Sequence, residues 1–123
     1  MSQRTERVQK VARQVLGDAI QSLKDPRVGF VTVTAVRVSP DLRRARVLVS
    51  VLGDDEARKA SLEGLRSATP VLRAELGRQM RMKYLPELVF ELDQGADRAE
   101  RIEELLHKIH QDEGPARDED EPS

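Results

Sequence analysis

The spacing of apolar residues changes period along the chain, and that change constrains the fold more than any other feature. From Val8 the apolar positions are Val8, Val11, Ala12, Val15, Leu16, Ala19, Ile20 and Leu23, which is one stripe of a helix at 3.6 residues per turn. Asp25-Pro26-Arg27 closes the stripe, because a residue preceding proline avoids the α region. Helix one is therefore expected from about Thr5 to about Lys24. Between Val28 and Leu52 the residues become β-branched and the period falls to two, so Phe30 to Val38 and Ala45 to Leu52 read as strands. Ser39-Pro40-Asp41 supplies turn chemistry between them, which favours an antiparallel hairpin. Ala45, Val47, Val49 and Val51 share one face of the second strand and are its expected core side. In the first strand both Val31-Val33-Ala35 and Phe30-Val36-Val38 qualify. Phe30 and Phe90, each in a strand pattern, are read as core residues.

The helical period then returns. Asp54, Asp55 and Glu56 sit where a helix N-terminus favours negative charge. Ala57, Ala60, Gly64, Leu65 and Ala68 follow as one stripe of small residues, able to lie close to a sheet. Pro70 breaks this helix, since its ring collides with the carbonyl four residues back. A second segment is expected to restart at once, with Thr69 as N-cap, Pro70 in the first turn, and Val71, Leu72, Leu76 and Met80 as its apolar stripe. Pro86 ends it, and Glu87 to Leu92 reads as a third strand. Ile102, Leu105, Leu106 and Ile109 mark a short final helix. The order helix, strand, strand, kinked helix, strand, helix predicts an α+β fold with a three-stranded sheet packed on helices. The domain is expected over 1–111, and the acidic stretch 112–123 is expected to be a disordered tail.

A chain of 123 residues has room for one such core. The formal net charge of −1 conceals an asymmetry: residues 1–92 carry 17 Lys+Arg against 11 Asp+Glu, or +6, and residues 93–123 carry 4 against 11, or −7. A basic body of this kind favours a polyanionic partner, with ordinary solvated charge as the alternative. There is no cysteine, so disulfides, thiolate metal sites and cysteine nucleophiles are excluded. Met1 to Lys10 is polar, with no apolar segment behind it, and the reading is a cytoplasmic protein without a membrane span.

Nothing at recognisable spacing supports catalysis or a cofactor. Gly53, Gly64, Gly77 and Gly95 are isolated. His107 and His110 share a helix face, but a zinc site needs a further ligand, so they read as solvated surface and no metal is expected. The cations are more telling. Arg37, Arg43, Arg44 and Arg46 gather around the hairpin, and Arg73, Arg78, Arg81 and Lys83 follow the helix break, opposed only by Glu75. Arg78 and Arg81 are three apart, a spacing that places them together on a helix and lets them grip neighbouring phosphates. With one tyrosine and two phenylalanines in the chain, stacking is not the expected main mode, and phosphate and shape contacts suit a folded RNA better.

Taken in order, Arg7-Val8, Asp25-Pro26-Arg27, Ser39-Pro40-Asp41-Leu42 with Ala45-Arg46-Val47, Leu76-Gly77 with Met80-Arg81, Pro86-Glu87-Leu88 with Phe90 and Asp93, and Arg101-Ile102 with Leu105-Leu106 resemble the ribosome-binding factor A family over roughly Arg4 to Ile109. The resemblance implies a type II KH-like fold with a mixed sheet. It further implies binding to the free small (30S) ribosomal subunit and its 16S rRNA during late maturation and 5′-end processing, a link to growth in the cold, and release before translation. In this family a helix-kink-helix written Ala-x-Gly replaces the GxxG loop of ordinary KH domains. The matching positions here are Ala68-Thr69-Pro70, where proline supplies a kink but removes an N–H and any close glycine approach. The weight then falls on the flanking cations Arg66, Arg73, Arg78, Arg81 and Lys83, joined by the hairpin group. The expected protein is a monomeric, non-enzymatic RNA-binding factor, and a protein-interaction module is the alternative. The acidic tail either shields the basic body or aids solubility.

Overall fold

The structure, a computed structural model, describes residues 3–95. Helix α1 spans Gln3–Gln21, strands β1 and β2 span Val31–Val38 and Arg44–Val51, helices α2 and α3 span Asp55–Ser67 and Thr69–Met80, and strand β3 spans Glu87–Leu92. The expected final helix and acidic tail lie outside the described residues. The sheet order is β1-β2-β3, with β1 and β2 antiparallel and β2 and β3 parallel. A parallel neighbour needs a crossover, and α2 with α3 provides it.

Helix α1 ends three residues short of the expected Lys24. Ser22 and Leu23 bond to the carbonyls of Ala19 and Ile20 (both 3.1 Å), tightening the chain into a turn ahead of Pro26. Its buried residues are Thr5, Ala12, Val15, Leu16 and Ile20, while Val11, expected on the apolar face, is exposed. In the turn that follows, the Arg27 guanidinium meets Asp25 at 2.6 Å. That hydrogen bond holds the Asp25 carboxyl below the usual carboxylate range.

Strand β2 is central and buries Ala45, Val47, Val49 and Val51, as its alternation predicts. Strand β1 uses both of the faces that qualified in the sequence. Val33 faces Val49 and Ala35 faces Leu48, so Thr34 is an extra residue and forms a β-bulge that shifts the alternation by one. Val31 and Val33 are buried before it, Val36 and Val38 after it. The bulge is pinned by the Thr34 hydroxyl, which donates to Asp93 Oδ2 (2.7 Å) and stands 3.2 Å from the Leu48 carbonyl. Side chains of α1 also meet the free edge of β1: Gln9 Oε1 accepts from the Val38 N–H (3.0 Å), and Gln21 Nε2 donates to the Val31 carbonyl (3.3 Å). Both bonds occupy groups that an unprotected edge would offer to another strand.

One sheet face is thus covered by α1, by Leu65 of α2 and by Leu72 and Leu76 of α3, with Phe90 of β3 among the most buried side chains. Phe30 does not join them. It precedes β1 and is 80% exposed. Val71 is likewise exposed, and Leu72 and Leu76 are the buried residues of α3.

Asp54 caps α2 by accepting from the Ala57 N–H (2.9 Å). The buried residues of α2 are Arg58, Ser61, Gly64 and Leu65 rather than the full small-residue stripe. Gly64 lies against the α1–β1 turn and not against the sheet: a Cβ there would stand 2.5 Å from Val28 Cγ2. Ser61 secures the same turn, accepting from the Gly29 N–H (3.2 Å) and donating to the Arg27 carbonyl (3.4 Å).

Candidate nucleic-acid interface

The helix break falls at Ala68, which ends α2 and starts α3. Its N–H donates to the Gly64 carbonyl (3.0 Å) and its own carbonyl accepts from Leu72 (2.9 Å), so the chain stays near-helical through the kink. Thr69 is not the N-cap. Its hydroxyl turns back to the Leu65 carbonyl (3.2 Å), giving a donor to the last turn of α2 where proline withholds one. Arg66 is exposed beside the kink.

Helix α3 ends at Arg81, whose backbone is left-handed (φ 52°, ψ 46°). This conformation costs an L-residue roughly 1–2 kcal/mol and changes the expected geometry. Arg78 stays on α3 paired with Glu75, in a groove shared with Asp18 of α1. Arg81 is turned out of the helix and lines a different cleft. The two arginines do not form the single phosphate grip expected of an i, i+3 pair.

The cleft that receives Arg81 lies at the hairpin tip and encloses about 480 Å³. The tip is built from Ser39 to Arg44: Leu42 N–H donates to the Ser39 carbonyl (2.8 Å), the Ser39 hydroxyl to Asp41 Oδ1 (2.6 Å), and Arg43 N–H to the same oxygen (3.1 Å). The Ser39 hydroxyl, and after it the Arg43 N–H, hold the Asp41 carboxyl below its ordinary range, so this acid stays ionised and serves the turn. Leu42 is left-handed (φ 62°), and it and Arg81 are the positive-φ non-glycine residues among those described. Both line this cleft, which also takes Arg4 and Val8 from α1 and Met82, Lys83 and Tyr84 from the α3–β3 connection. Tyr84 is 63% exposed, with Lys83 Nζ 5.5 Å and Arg43 Cζ 6.0 Å from its ring centroid.

The remaining predicted cations are dispersed. Arg46 makes a two-pronged contact with Glu91 (2.9 Å for each nitrogen), which holds the Glu91 carboxyl low and the guanidinium firmly charged. Arg44 stands 4.0 Å from Glu87 on the same outward face of the sheet, and Arg37 pairs in register with Arg46. Arg73 works inside the protein: Nε donates to the Pro86 carbonyl (2.9 Å) and Nη2 to the Leu85 carbonyl (3.2 Å), clamping the α3–β3 connection. Arg43, Arg81 and Lys83 therefore remain together at the cleft, with no carboxylate in ion-pair contact among the described residues. Sequence reasoning passed over Arg4 and Tyr84. The available signal for Tyr84 was an aromatic residue outside every strand pattern and next to Lys83; Arg4 had none, since helix docking alone brings it here. Among the described residues no group of His, Asp and Glu is placed to hold a metal ion, and no helix is long and apolar enough to cross a membrane.

A family model described as Ribosome-binding factor A matches residues 4–106. A protein of that name from Geobacter sulfurreducens is 43% identical over 115 residues, covering 93% of this chain and 98% of the relative. The crystal structure of ribosome-binding factor A from Thermus thermophilus superposes with a TM-score of 0.65 at 33% identity, covering 72% of this chain and 94% of that one. A homology model of the Thermus thermophilus factor, fitted into the cryo-EM map of its complex with the 30S subunit, gives a TM-score of 0.58 at 36% identity over 68% of this chain and 88% of that one. The arrangement of α1 to β3 is the type II KH-like fold of these structures.

Proposed function

Because the chain belongs to the ribosome-binding factor A family, we propose that it is a non-enzymatic ribosome assembly factor that binds the free 30S subunit. In this reading it contacts 16S rRNA in the cytoplasm during late maturation and 5′-end processing, supports growth in the cold, and acts as a monomer. The observation that carries the reading is the cluster of Arg43, Arg81 and Lys83, with Arg4 beside them, around a cleft whose one acid is engaged by its own turn. Cations outside ion-pair contact are the ones available to phosphate, and each phosphate neutralised releases counterion. Arg66 and the outward sheet arginines Arg37, Arg44 and Arg46 extend the proposed RNA surface from the kink and the hairpin. Residues 1–111 form the binding domain in this proposal, and the acidic stretch 112–123 lies outside it.

Co-sedimentation with small subunits, large subunits and assembled ribosomes at low and raised salt tests the proposal. Selective, salt-sensitive pelleting with small subunits is expected, and joint replacement of Arg43, Arg81 and Lys83 by Glu abolishes it while the circular-dichroism melt stays close to wild type. Equal pelleting with all particles refutes the subunit assignment. Pelleting that survives RNase and raised salt refutes RNA contact in favour of a protein partner.

A further inference from the structure

We propose that the Tyr84 cleft receives one unpaired nucleotide of single-stranded RNA, its base lying on the tyrosine ring and its flanking phosphates meeting Arg4, Arg81 and Lys83. The inference deepens the RNA-binding reading above and rests on it. It runs against the sequence composition, from which stacking is not the expected main mode.

Four features carry it. Tyr84 is 63% exposed although the connection around it is fixed, by Arg73 on the carbonyls of Leu85 and Pro86 and by the Glu87 N–H on the Arg43 carbonyl (2.8 Å). A rigidly presented, solvent-facing aromatic ring is what a splayed base stacks on. Lys83 Nζ and Arg43 Cζ sit 5.5 Å and 6.0 Å from the ring centroid, near the outer limit of a useful cation–π distance of about 6 Å, so an entering base displaces two weak contacts, freeing the ammonium for phosphate and leaving the guanidinium to stack on the base. Val8, Leu42, Met80 and Met82 line the cleft and are packed against the core, which gives the base an apolar bed. Finally, the strained backbones of Leu42 and Arg81 stand on this cleft, and strain of that kind collects where a site must be held in place.

A duplex cannot use this arrangement. Its base faces are stacked on one another, so it offers the cleft phosphates but no ring surface. The site therefore separates paired from unpaired RNA by geometry and reads little of the base identity, because every base has a π-face.

Tyr84 is the chain's one tyrosine and there is no tryptophan, so the intrinsic emission of the full-length protein reports on this ring alone. The test titrates the protein with a short single-stranded RNA of mixed sequence and with the blunt duplex of that sequence, following tyrosine emission and the anisotropy of labelled RNA. The single strand is expected to quench the emission and saturate, and the duplex to leave it unchanged. Tyr84→Ala should weaken single-strand binding about tenfold and leave duplex binding unaltered, with Tyr84→Phe close to wild type, as expected for stacking rather than hydroxyl bonding. Tyr84→Ala binding both RNAs as wild type does, or equal quenching by the duplex, would overturn the inference. If small subunits fail to pellet the protein while the single strand still quenches Tyr84, the ribosomal reading falls and the nucleotide site stands. Pelleting without quenching, and without any effect of Tyr84→Ala, overturns the nucleotide site and leaves the ribosomal reading standing.

Discussion

Gly17→Ala and Gly64→Ala place the same methyl group inside two helices, and the surroundings give the two substitutions different outcomes. In an exposed helix interior, alanine is more favourable than glycine by about 0.8–1.0 kcal/mol. A Cβ at Gly17 meets nothing within 4 Å, so that gain is realised in full. At Gly64 the methyl stands 2.5 Å from Val28 Cγ2, 3.4 Å from Arg27 Cβ and 3.5 Å from the Val28 nitrogen. The turn cannot step back freely, because Val28 N–H is bonded to the Asp25 carbonyl (3.0 Å) and Ser61 ties both Gly29 and Arg27 to α2. Overpacking of this sort costs about 1–3 kcal/mol, so Gly64→Ala is expected to range from neutral to about 2 kcal/mol destabilised once the propensity gain is credited. The two variants should then differ by about 1–3 kcal/mol, a separation of order 1 M in urea midpoint at an ordinary slope. Urea unfolding followed by far-ultraviolet circular dichroism measures it, with equal slopes required for the comparison. A Gly64→Ala midpoint at or above that of Gly17→Ala would refute the close approach of α2 to the Val28 turn.

Salt titration of RNA binding should sort the arginines by their partners: Arg81→Gln lowers the slope of log affinity against log salt by about 0.7–0.9, whereas Arg78→Gln, already paired with Glu75, leaves it unchanged, and equal losses would contradict the sorting. Arg73→Ala removes two bonds to the α3–β3 connection and should cost about 1–3 kcal/mol in urea unfolding, with tyrosine emission altered in the absence of RNA; wild-type stability would show that the clamp is dispensable. Asp25, Asp41 and Glu91 have lowered pKa values in the folded protein. Their contribution is present above the unfolded values of 3.8 and 4.5 and is lost as pH falls through the lower folded ones. Stability should therefore be flat in this respect near neutrality and decline below about pH 4.5, less steeply in Glu91→Gln; an unchanged acid limb in that variant would contradict the ion pair with Arg46. Removing residues 112–123 should strengthen non-specific RNA binding at low salt if the acidic stretch competes for the basic body, and equal affinities would leave solubility as its role.

The order of elements was legible in the sequence because periodicity is a local property. A stripe such as Val15, Leu16 and Ile20, or the alternation Ala45, Val47, Val49 and Val51, depends only on the geometry of one helix or one strand, and the structure keeps both. The helix break just ahead of Pro70 and the Asp54 cap are local for the same reason. What the sequence left open or misplaced was settled by contacts between distant segments. The eligible faces of β1 are both used because Thr34 bulges out to meet Asp93, 59 positions away. Phe30 and Val71 match the apolar patterns, yet among the described residues no element covers them. Gly64 looked like a place for the sheet to approach and is filled instead by Val28. The candidate site shows the same division most clearly. Its cations could be counted in the sequence, but which of them are available depends on where acids such as Glu91 and Glu75 come to lie. Arg4, Arg43 and Tyr84 are each about forty residues from the next along the chain, and they share a cleft because α1 packs on the sheet and β3 pairs beside β2. Periodicity carries the identity of each element and its own inward face; the meeting of side chains from three such elements is decided by packing, which no local pattern encodes.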